Sequence, residues 1–359
     1  MKIVLTGGGT AGHVTPNIAL LPALEKRGYE IHYIGSRTGI ESGLIPLCGI
    51  KYHSISSGKL RRYLDLKNVT DAFRIVKGLS DALSLLRKIR PDIIFSKGGF
   101  VVVPVAYAAY ILGVPVVIHE SDITPGLATK LVMPFAKRVC TSFPETLQYV
   151  PEGKGVLTGS PIRASLWGGN RKEGLKICGF DYLPPKPVLM VTGGSLGSVV
   201  INNQIFELLP KLLEHFHIIH LCGKGNIKED SRPGYAPMEY AQEEMSHLMA
   251  AADMVISRAG SNTLFELLAL GKPNLLIPLG KAASRGDQIL NAASFQKQGY
   301  SMVLQEEDMG SLYDSIMSLY AHKDKYVGKM EGLKSDEGVK RVMREIMRWT
   351  PAVDKAKTK

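Results

Sequence analysis

Cysteine is scarce in this 359-residue chain. Its four thiols, Cys48, Cys140, Cys178 and Cys222, are scattered, and no Cys-x-x-Cys pair occurs. That argues against a disulfide framework and a thiolate metal site, and it fits thiols kept reduced, as in a cytoplasm. A secretory leader is not evident, because the first apolar run, residues 1–6, is short and ends in glycines. One stretch, 101–118, is nearly long and apolar enough to span a bilayer, but Pro104, Gly113 and Pro115 interrupt it. It reads instead as a loop, a buried helix near 105–112, a turn and a buried strand at 116–118. No Lys-Ser or Lys-Thr follows a glycine loop, so there is no Walker phosphate loop. No Asp-x-Asp pair follows an apolar strand, so no metal-held diphosphate is expected. His119-Glu120 lacks the second histidine of a zinc helix. His215, His217 and His220 are near one another, but positions 217 and 220 of a strand face opposite ways, so no shared metal is read there.

Glycine is plentiful, and it stands at the ends of apolar runs. Residues 1–6 form a strand-like run that enters Gly7-Gly8-Gly9-Thr10-Ala11-Gly12-His13, with a helix expected from about Thr15. A strand that breaks into glycines before a helix turns bare amides, and the positive end of the helix dipole, toward one spot that suits an anion. The length predicts two domains. The net charge of +11 favours anionic partners.

The pattern continues as alternating strands and helices. A helix ends at Arg27-Gly28, and a strand follows at 31–34. The spacing of Val69, Ala72, Val76, Leu79, Leu83 and Leu86 predicts a long amphipathic helix over 68–90. Strands follow at 92–96, ending in Lys97-Gly98-Gly99-Phe100, at 116–118, ending in His119-Glu120-Ser121-Asp122, and at 138–142. The rhythm loosens near Gly159-Ser160-Pro161 and the prolines at 184–187. It restarts at 188–192 with Gly193-Gly194-Ser195-Leu196-Gly197, then strands at 218–221, 254–257, 274–277 and 301–304. This predicts an α/β chain of two doubly wound Rossmann-like domains, 1–160 and 161–335, facing across a cleft. A C-terminal helix and tail, 336–359, is expected to pack back on the first domain.

Several motifs admit more than one chemistry. Gly7-x-Gly9-x-x-Gly12 matches a dinucleotide fingerprint, but Gly35-Ser36-Arg37 stands where a ribose-binding acid belongs, leaving an NADP site as an alternative. Gly193-x-Ser195-x-Gly197 matches a nucleophile elbow, for which Asp253 and His322 are the nameable partners. The stretch Ser257-Arg258-Ala259-Gly260-Ser261-Asn262-Thr263-Leu264-Phe265-Glu266 opens a helix with Ser, Asn and Thr donors. Thr263-x-x-Glu266 has the spacing of a capping box, whereas the functional reading puts a diphosphate at the helix start and ribose hydroxyls on Glu266. Ser284-Arg285-Gly286-Asp287-Gln288 repeats the theme. Finally, 59–90 holds nine Lys/Arg and three Asp, interleaved with Leu60, Tyr63, Leu64, Leu66, Phe73 and Ile75. It reads either as a solvated helix face or as a basic, partly apolar surface for anionic lipid.

Together these motifs, in order from Gly7 to Asn291, resemble the MurG family. The resemblance implies the GT-B architecture and an inverting hexosyltransferase. It would move N-acetylglucosamine (GlcNAc) from UDP-GlcNAc to the C4 hydroxyl of N-acetylmuramic acid (MurNAc) in undecaprenyl-pyrophosphoryl-MurNAc-pentapeptide (lipid I), giving lipid II for peptidoglycan synthesis. It implies that Thr10, Ala11 and Gly12 lie against the donor sugar-phosphate. Arg163, Ser195, Ser261, Asn262, Thr263, Leu264 and Glu266 would hold nucleotide and diphosphate, Gln288 the sugar hydroxyls, and Gln242 the uracil through its backbone. Asp122 stands where the family often has Asn. The expected partners are UDP-GlcNAc, lipid I and an anionic membrane surface at the cytoplasmic face, with no nucleic acid, metal or cofactor. His13 is the first candidate for the base, since a histidine titrates near ~6.5, and Glu120 the second. A sibling transferase for another lipid, a UDP-sugar epimerase or a UDP-sugar binding module are the alternatives.

Overall fold

Every strand pair in both sheets is parallel, which accounts for strands that read as unbroken apolar runs rather than alternating ones. The computed structural model describes residues 1–57, 67–194, 197–228, 232–280, 286–333 and 336–350, with the backbone alone for 67–75. The chain divides into two compact units. Met1–Arg163 joins the C-terminal segment from Asp336 in the first, and the second begins at Ala164.

In unit 1 the strands are β1 (Lys2–Thr6), β2 (Glu30–Ser36), β3 (Lys51–Ile55), β4 (Ile93–Ser96), β5 (Val116–Glu120), β6 (Arg138–Thr141) and β7 (Gly155–Leu157), in the order β3-β2-β1-β4-β5-β6-β7. The direction of winding reverses between β1 and β4, where Leu5 pairs with Phe95 and Thr6 with Ser96. Alternate residues serve opposite faces. Val4, Ile34, Ile94 and Ile118 pack with Ala82, Leu86 and Val105 on one side. Ile3, Leu5, Tyr33, Phe95 and Val117 pack with Leu20 and Leu24 on the other. The second face is completed by Val342, Met343 and Ile346 of the helix Glu337–Trp349. The half-buried Arg138 guanidinium donates to Glu345 Oε2 at 3.1 Å and ties that helix to β6.

In unit 2 the strands are β8 (Val188–Thr192), β9 (His217–Leu221), β10 (Tyr235–Met238), β11 (Met254–Ser257), β12 (Asn274–Leu276) and β13 (Met302–Val303), in the order β10-β9-β8-β11-β12-β13. The reversal here falls between β8 and β11, with Thr192 opposite Ser257. Both units thus have the doubly wound, Rossmann-like order.

Two helix starts and one residue of a helix stripe differ from the sequence reading, each for a local reason. The first helix spans Ala11–Lys26 with Thr10 at its N-cap, so it starts ahead of Thr15 and takes His13 into its first turn. The helix Val102–Ile111 begins before 105, because Pro104 occupies the first turn, where its missing N–H costs nothing. In the helix Lys67–Ile89 the core stripe runs through Leu79, Leu83 and Leu86, while Val76 is 68% exposed. The buried hydrophobic residues of this helix are Ala82, Leu86 and Ile89, and at 100° per residue Val76 lies roughly 80–140° round from them, beyond the half-buried Leu79 and Leu83 at the edge of that face.

Ile346 is fully buried against the β1 and β4 side of the sheet. Ile346→Ala is expected to cost about 3 kcal/mol. Amide exchange read strand by strand should show β1 and β4 losing protection while β8 and β11 keep theirs.

Candidate active site

The loops at the carboxyl ends of β1, β4 and β5 bring the candidate residues of unit 1 together. After β1 the chain turns through Gly7-Gly8-Gly9, with Gly9 at φ 86° and open space where its Cβ would stand. The His13 ring folds back onto this loop, and its Nδ1 donates to the Gly8 carbonyl at 2.9 Å. A carbonyl can only accept, so Nδ1 carries the proton and Nε2 holds the lone pair. Thr10 Oγ1 lies 3.3 Å from the same Nδ1. The Cδ2–Nε2 edge of the ring lies beside Gly98, at φ 67°, where a Cβ would come within 2.8 Å of His13 Cδ2 and 2.9 Å of Nε2. Burial lowers the His13 pKa from its ordinary value. The Gly8 bond opposes the shift, Lys97 adds to it, and Glu120 and Asp122 oppose it.

Beside His13 lies a buried pair of bases. Lys97 has no exposed surface, and its Nζ is 2.6 Å from His119 Nδ1. His119 Nε2 is 2.9 Å from the Gly159 carbonyl, so it donates there and Nδ1 accepts from Lys97. Glu120 is turned inward. Its Oε1 accepts the N–H groups of Ser121 (2.9 Å) and Asp122 (3.1 Å), and its Oε2 that of Gly126 (3.1 Å). It shapes its own loop. The Asp122 carbonyl accepts from Thr146 Oγ1 at 3.1 Å, and its carboxylate favours the charged forms of both Lys97 and His13. Ala11 and Gly12 are the first residues of the helix, and Arg163 ends unit 1.

Unit 2 offers helix starts. The helix Ser261–Leu270 has Gly260 at its N-cap, with open space at the Cβ position and no side chain capping it. Its first i to i−4 bond runs from Leu264 N–H to Gly260 O at 3.1 Å, so the amides of Ser261, Asn262 and Thr263 lie at the positive end of the dipole. Thr263 is the third residue of this helix, so the capping-box spacing to Glu266 is coincidental. Leu264 is fully buried and offers only its backbone. Gln288 opens the helix Asp287–Gln298, and its Oε1 accepts from Leu279 N–H at 3.0 Å. Gln242 is exposed, and its N–H donates to Glu244 Oε2 at 3.2 Å. Ser195 lies outside the described residues.

The alternative chemistries lose their partners. Asp253 is held by Arg171 at 3.0 and 2.9 Å and accepts the Val188 N–H at the start of β8, the sheet edge opposite the glycine loop, so it is no partner for an elbow at Gly193. His217 bonds the Pro184 carbonyl and stacks on Phe180, whereas His220 bonds Asn202 and Tyr235.

Two residues of weight were not singled out in the sequence. Glu41 is fully buried beneath the first glycine loop, where it accepts from Gly9 N–H (3.0 Å), Ser36 N–H (2.9 Å) and Ser36 Oγ (2.6 Å). Arg258 donates to the Ile277 and Pro278 carbonyls, to Ser198 Oγ and to Glu306 Oε1, joining the loops after β11 and β12 to the helix Val199–His215. The only hint in the sequence was Arg258 directly after an apolar strand.

The glycosyltransferase family 28 N-terminal domain matches residues 3–141, and the glycosyltransferase family 28 C-terminal domain matches residues 188–346. The chain is 56% identical over 346 residues to the UDP-N-acetylglucosamine–N-acetylmuramyl-(pentapeptide) pyrophosphoryl-undecaprenol N-acetylglucosamine transferase of Clostridium tetani, covering 95% of this chain and 96% of the relative. It is 55% identical over 353 residues to the protein of that name from Clostridium botulinum strain 657, covering 97% and 99%. In fold it is similar to the crystal structure of Acinetobacter baumannii MurG, with TM-score 0.74, 23% identity, and 97% and 99% of the two chains covered. A UDP-GlcNAc 2-epimerase from Neisseria meningitidis bound to UDP-GlcNAc shares the fold more loosely, at TM-score 0.65 and 15% identity over 97% and 100%.

Burial pushes the Lys97 pKa down to about 8, against the pull of Glu120 and Asp122. Between that value and the ordinary lysine range the unfolded chain binds the extra proton, so stability should rise with pH from about 8 to about 10. Burial holds His119 neutral far below its usual range, so stability should fall as pH drops below about 6.5. Denaturant melts across this range should show the alkaline gain in the natural chain and lose it in Lys97→Met.

Proposed function

The chain belongs to the MurG family of glycosyltransferases, and from that membership we propose how its own residues divide the work. The reaction moves GlcNAc from UDP-GlcNAc onto undecaprenyl-pyrophosphoryl-MurNAc-pentapeptide, converting lipid I to lipid II in peptidoglycan synthesis. The proposal concerns how. The observation that carries it is the His13 side chain, whose Nδ1 is committed to Gly8 and whose Nε2 is left as a proton acceptor at the edge of the sheet where the strand order reverses.

In this scheme His13 Nε2 takes the proton of the acceptor C4 hydroxyl as that oxygen attacks the anomeric carbon. UDP departs on the opposite face, so the configuration inverts. Charge grows on the leaving diphosphate. The amides of Ser261, Asn262 and Thr263, the dipole behind them and Arg163 stabilise it electrostatically. Glu266, on the same helix, receives the ribose hydroxyls, and Gln288 the donor sugar hydroxyls. Gln242 lies along the uracil, and Thr10, Ala11 and Gly12 lie against the sugar-phosphate. Glu120 serves the site through its loop rather than as the base, since both its oxygens already accept backbone N–H groups. The scheme calls on no cofactor.

A lipid-borne acceptor also asks for a membrane surface, and we assign that contact to the basic stretch of unit 1, at the cytoplasmic face. Lys77, Arg87, Lys88 and Arg90 are exposed, and Val76, Tyr110 and Ile111 are 68%, 62% and 57% exposed. Of the rest of that stretch, 59–66 lies outside the described residues, and 67–75 is described by its backbone alone. No helix among the described residues is long and apolar enough to cross a membrane.

Purified protein given radiolabelled UDP-GlcNAc and a lipid I analogue should label the lipid fraction, with or without EDTA. His13→Ala should lower kcat by about 10²–10⁴-fold while UDP-GlcNAc affinity stays within about twofold. Equal loss of both would make His13 a binding residue. Sedimentation should recover the protein with phosphatidylglycerol vesicles and leave it in solution with phosphatidylcholine, and added salt should release it.

A further inference from the structure

The Gly8–Gly9 peptide group carries two hydrogen bonds in opposite directions. Its N–H, on Gly9, donates to Glu41 Oε2 at 3.0 Å. Its carbonyl, on Gly8, accepts from His13 Nδ1 at 2.9 Å. A single amide therefore stands between a buried carboxylate and the imidazole. We propose that Glu41 is a positioning residue for the transfer, acting through this amide to hold His13 as the Nδ1–H tautomer and to strengthen Nε2 as a base. The proposal rests on His13 being the base. Its physics is that of linked hydrogen bonds. A carboxylate accepting the N–H draws amide electron density toward the carbonyl oxygen, and the bond that oxygen accepts grows stronger by roughly 10–30%. Serine hydrolases place a carboxylate directly on the imidazole for the same end. Here one peptide unit is interposed.

A mere brace for the loop does not account for Glu41. The Gly9 N–H needs an acceptor but not a charge. Burying a carboxylate beneath a loop whose amides face anions is electrostatically costly. The chain nevertheless clears space for it, because a Cβ on Gly8, Gly35 or Gly39 would run into the Glu41 side chain. Burial pushes the Glu41 carboxyl up, yet the bonds from Ser36 and Gly9 outweigh it and leave the group below its usual range, so it is ionised. The titratable groups facing it are Tyr33 and Tyr52, both held un-ionised by burial. Those facing His13 are Lys97, Glu120 and Asp122.

The test is Glu41→Gln in the full chain, assayed for transfer across pH. The side chain keeps its size and an oxygen for Gly9 but loses the charge. Turnover should fall about two- to threefold, and the acid limb of kcat should move to lower pH by about half a unit, with the KM for UDP-GlcNAc unchanged. A fall in turnover with an unmoved acid limb would reduce Glu41 to a brace and overturn the proposal, as would wild-type kinetics. Should Glu41→Gln not fold, Glu41→Asp, which draws the charge back from Gly9, takes its place with the same expected shift and the same overturning result. Nitrogen-15 spectra of the natural protein, with the His13 signals assigned by their loss in His13→Ala, should show the proton on Nδ1, and a proton on Nε2 overturns the proposal independently. His13→Ala with undiminished turnover would instead remove the base assignment.

Discussion

A parallel sheet buried on both faces has no side chains to spare for chemistry, and that constraint governs both units. In β1 and β4 the residues Ile3, Val4, Leu5, Ile94 and Phe95 are all committed to one core or the other. Reactive groups can stand only where the strands stop. At the point where the winding reverses, the helices after two adjacent strands leave to opposite faces and open a crevice. Gly7, Lys97 and Glu120 begin or border the loops at that edge in unit 1, and Gly193 and Arg258 do so in unit 2. Glycine follows from the same constraint. Gly99, at φ 85°, backs onto the Gly8 backbone, with which any Cβ there would collide.

The units solve the charge problem differently. Unit 2 presents positive charge to an anion. It does so with dipoles and with Arg258, a buried cation neutralised by Glu306 at 2.6 Å and spread over two carbonyls, so that its work is to fix loops. Unit 1 buries groups that must lose charge. Lys97 and His119 share a buried hydrogen bond, and burial shifts both toward neutrality. The carboxylates around them, Glu120 and Asp122, limit that shift. A donor diphosphate suits the first environment, and deprotonation of a hydroxyl suits the second.

How much of this was legible follows from how local each signal is. The glycine loops, the central strands and the start of the helix Ser261–Leu270 were legible because each is written in consecutive residues. Of the edge strands only β13 was, as the strand read at 301–304. Lys51-Tyr52-His53-Ser54-Ile55 forms β3 with polar residues facing out, and Gly155–Leu157 and Tyr235–Met238 are short. Their pairing comes from the neighbouring strand, which no period in the segment reveals. Glu120 stood as the second candidate base, but the amides it accepts belong to the turn after it, whose shape the sequence does not state. Glu41 was invisible for a stronger reason. Its partners, Gly9 and Ser36, meet it only when β1 and β2 are already paired, and Glu41 begins a short helix that reads as connection.

As the proposed base, His13 faces two demands that oppose each other. A base must be neutral to accept a proton, and burial beside Lys97 secures that. Burial alone, however, makes an imidazole a poor acceptor, since it disfavours the cation that catalysis must form. A carboxylate set directly on Nδ1 would correct this, but it would also place a full negative charge where an anionic acceptor has to come. A peptide group between the two is a compromise. The carboxylate stays beneath the glycines, held by Ser36, and only the dipole of the Gly8–Gly9 amide reaches the ring. The same geometry turns the Gly9 N–H inward, which removes one donor from the anion site and makes the helix start at Ala11, rather than the glycines alone, the positive end of the loop. One buried carboxylate thus touches both the loop that holds the proposed base and the amides of the crevice.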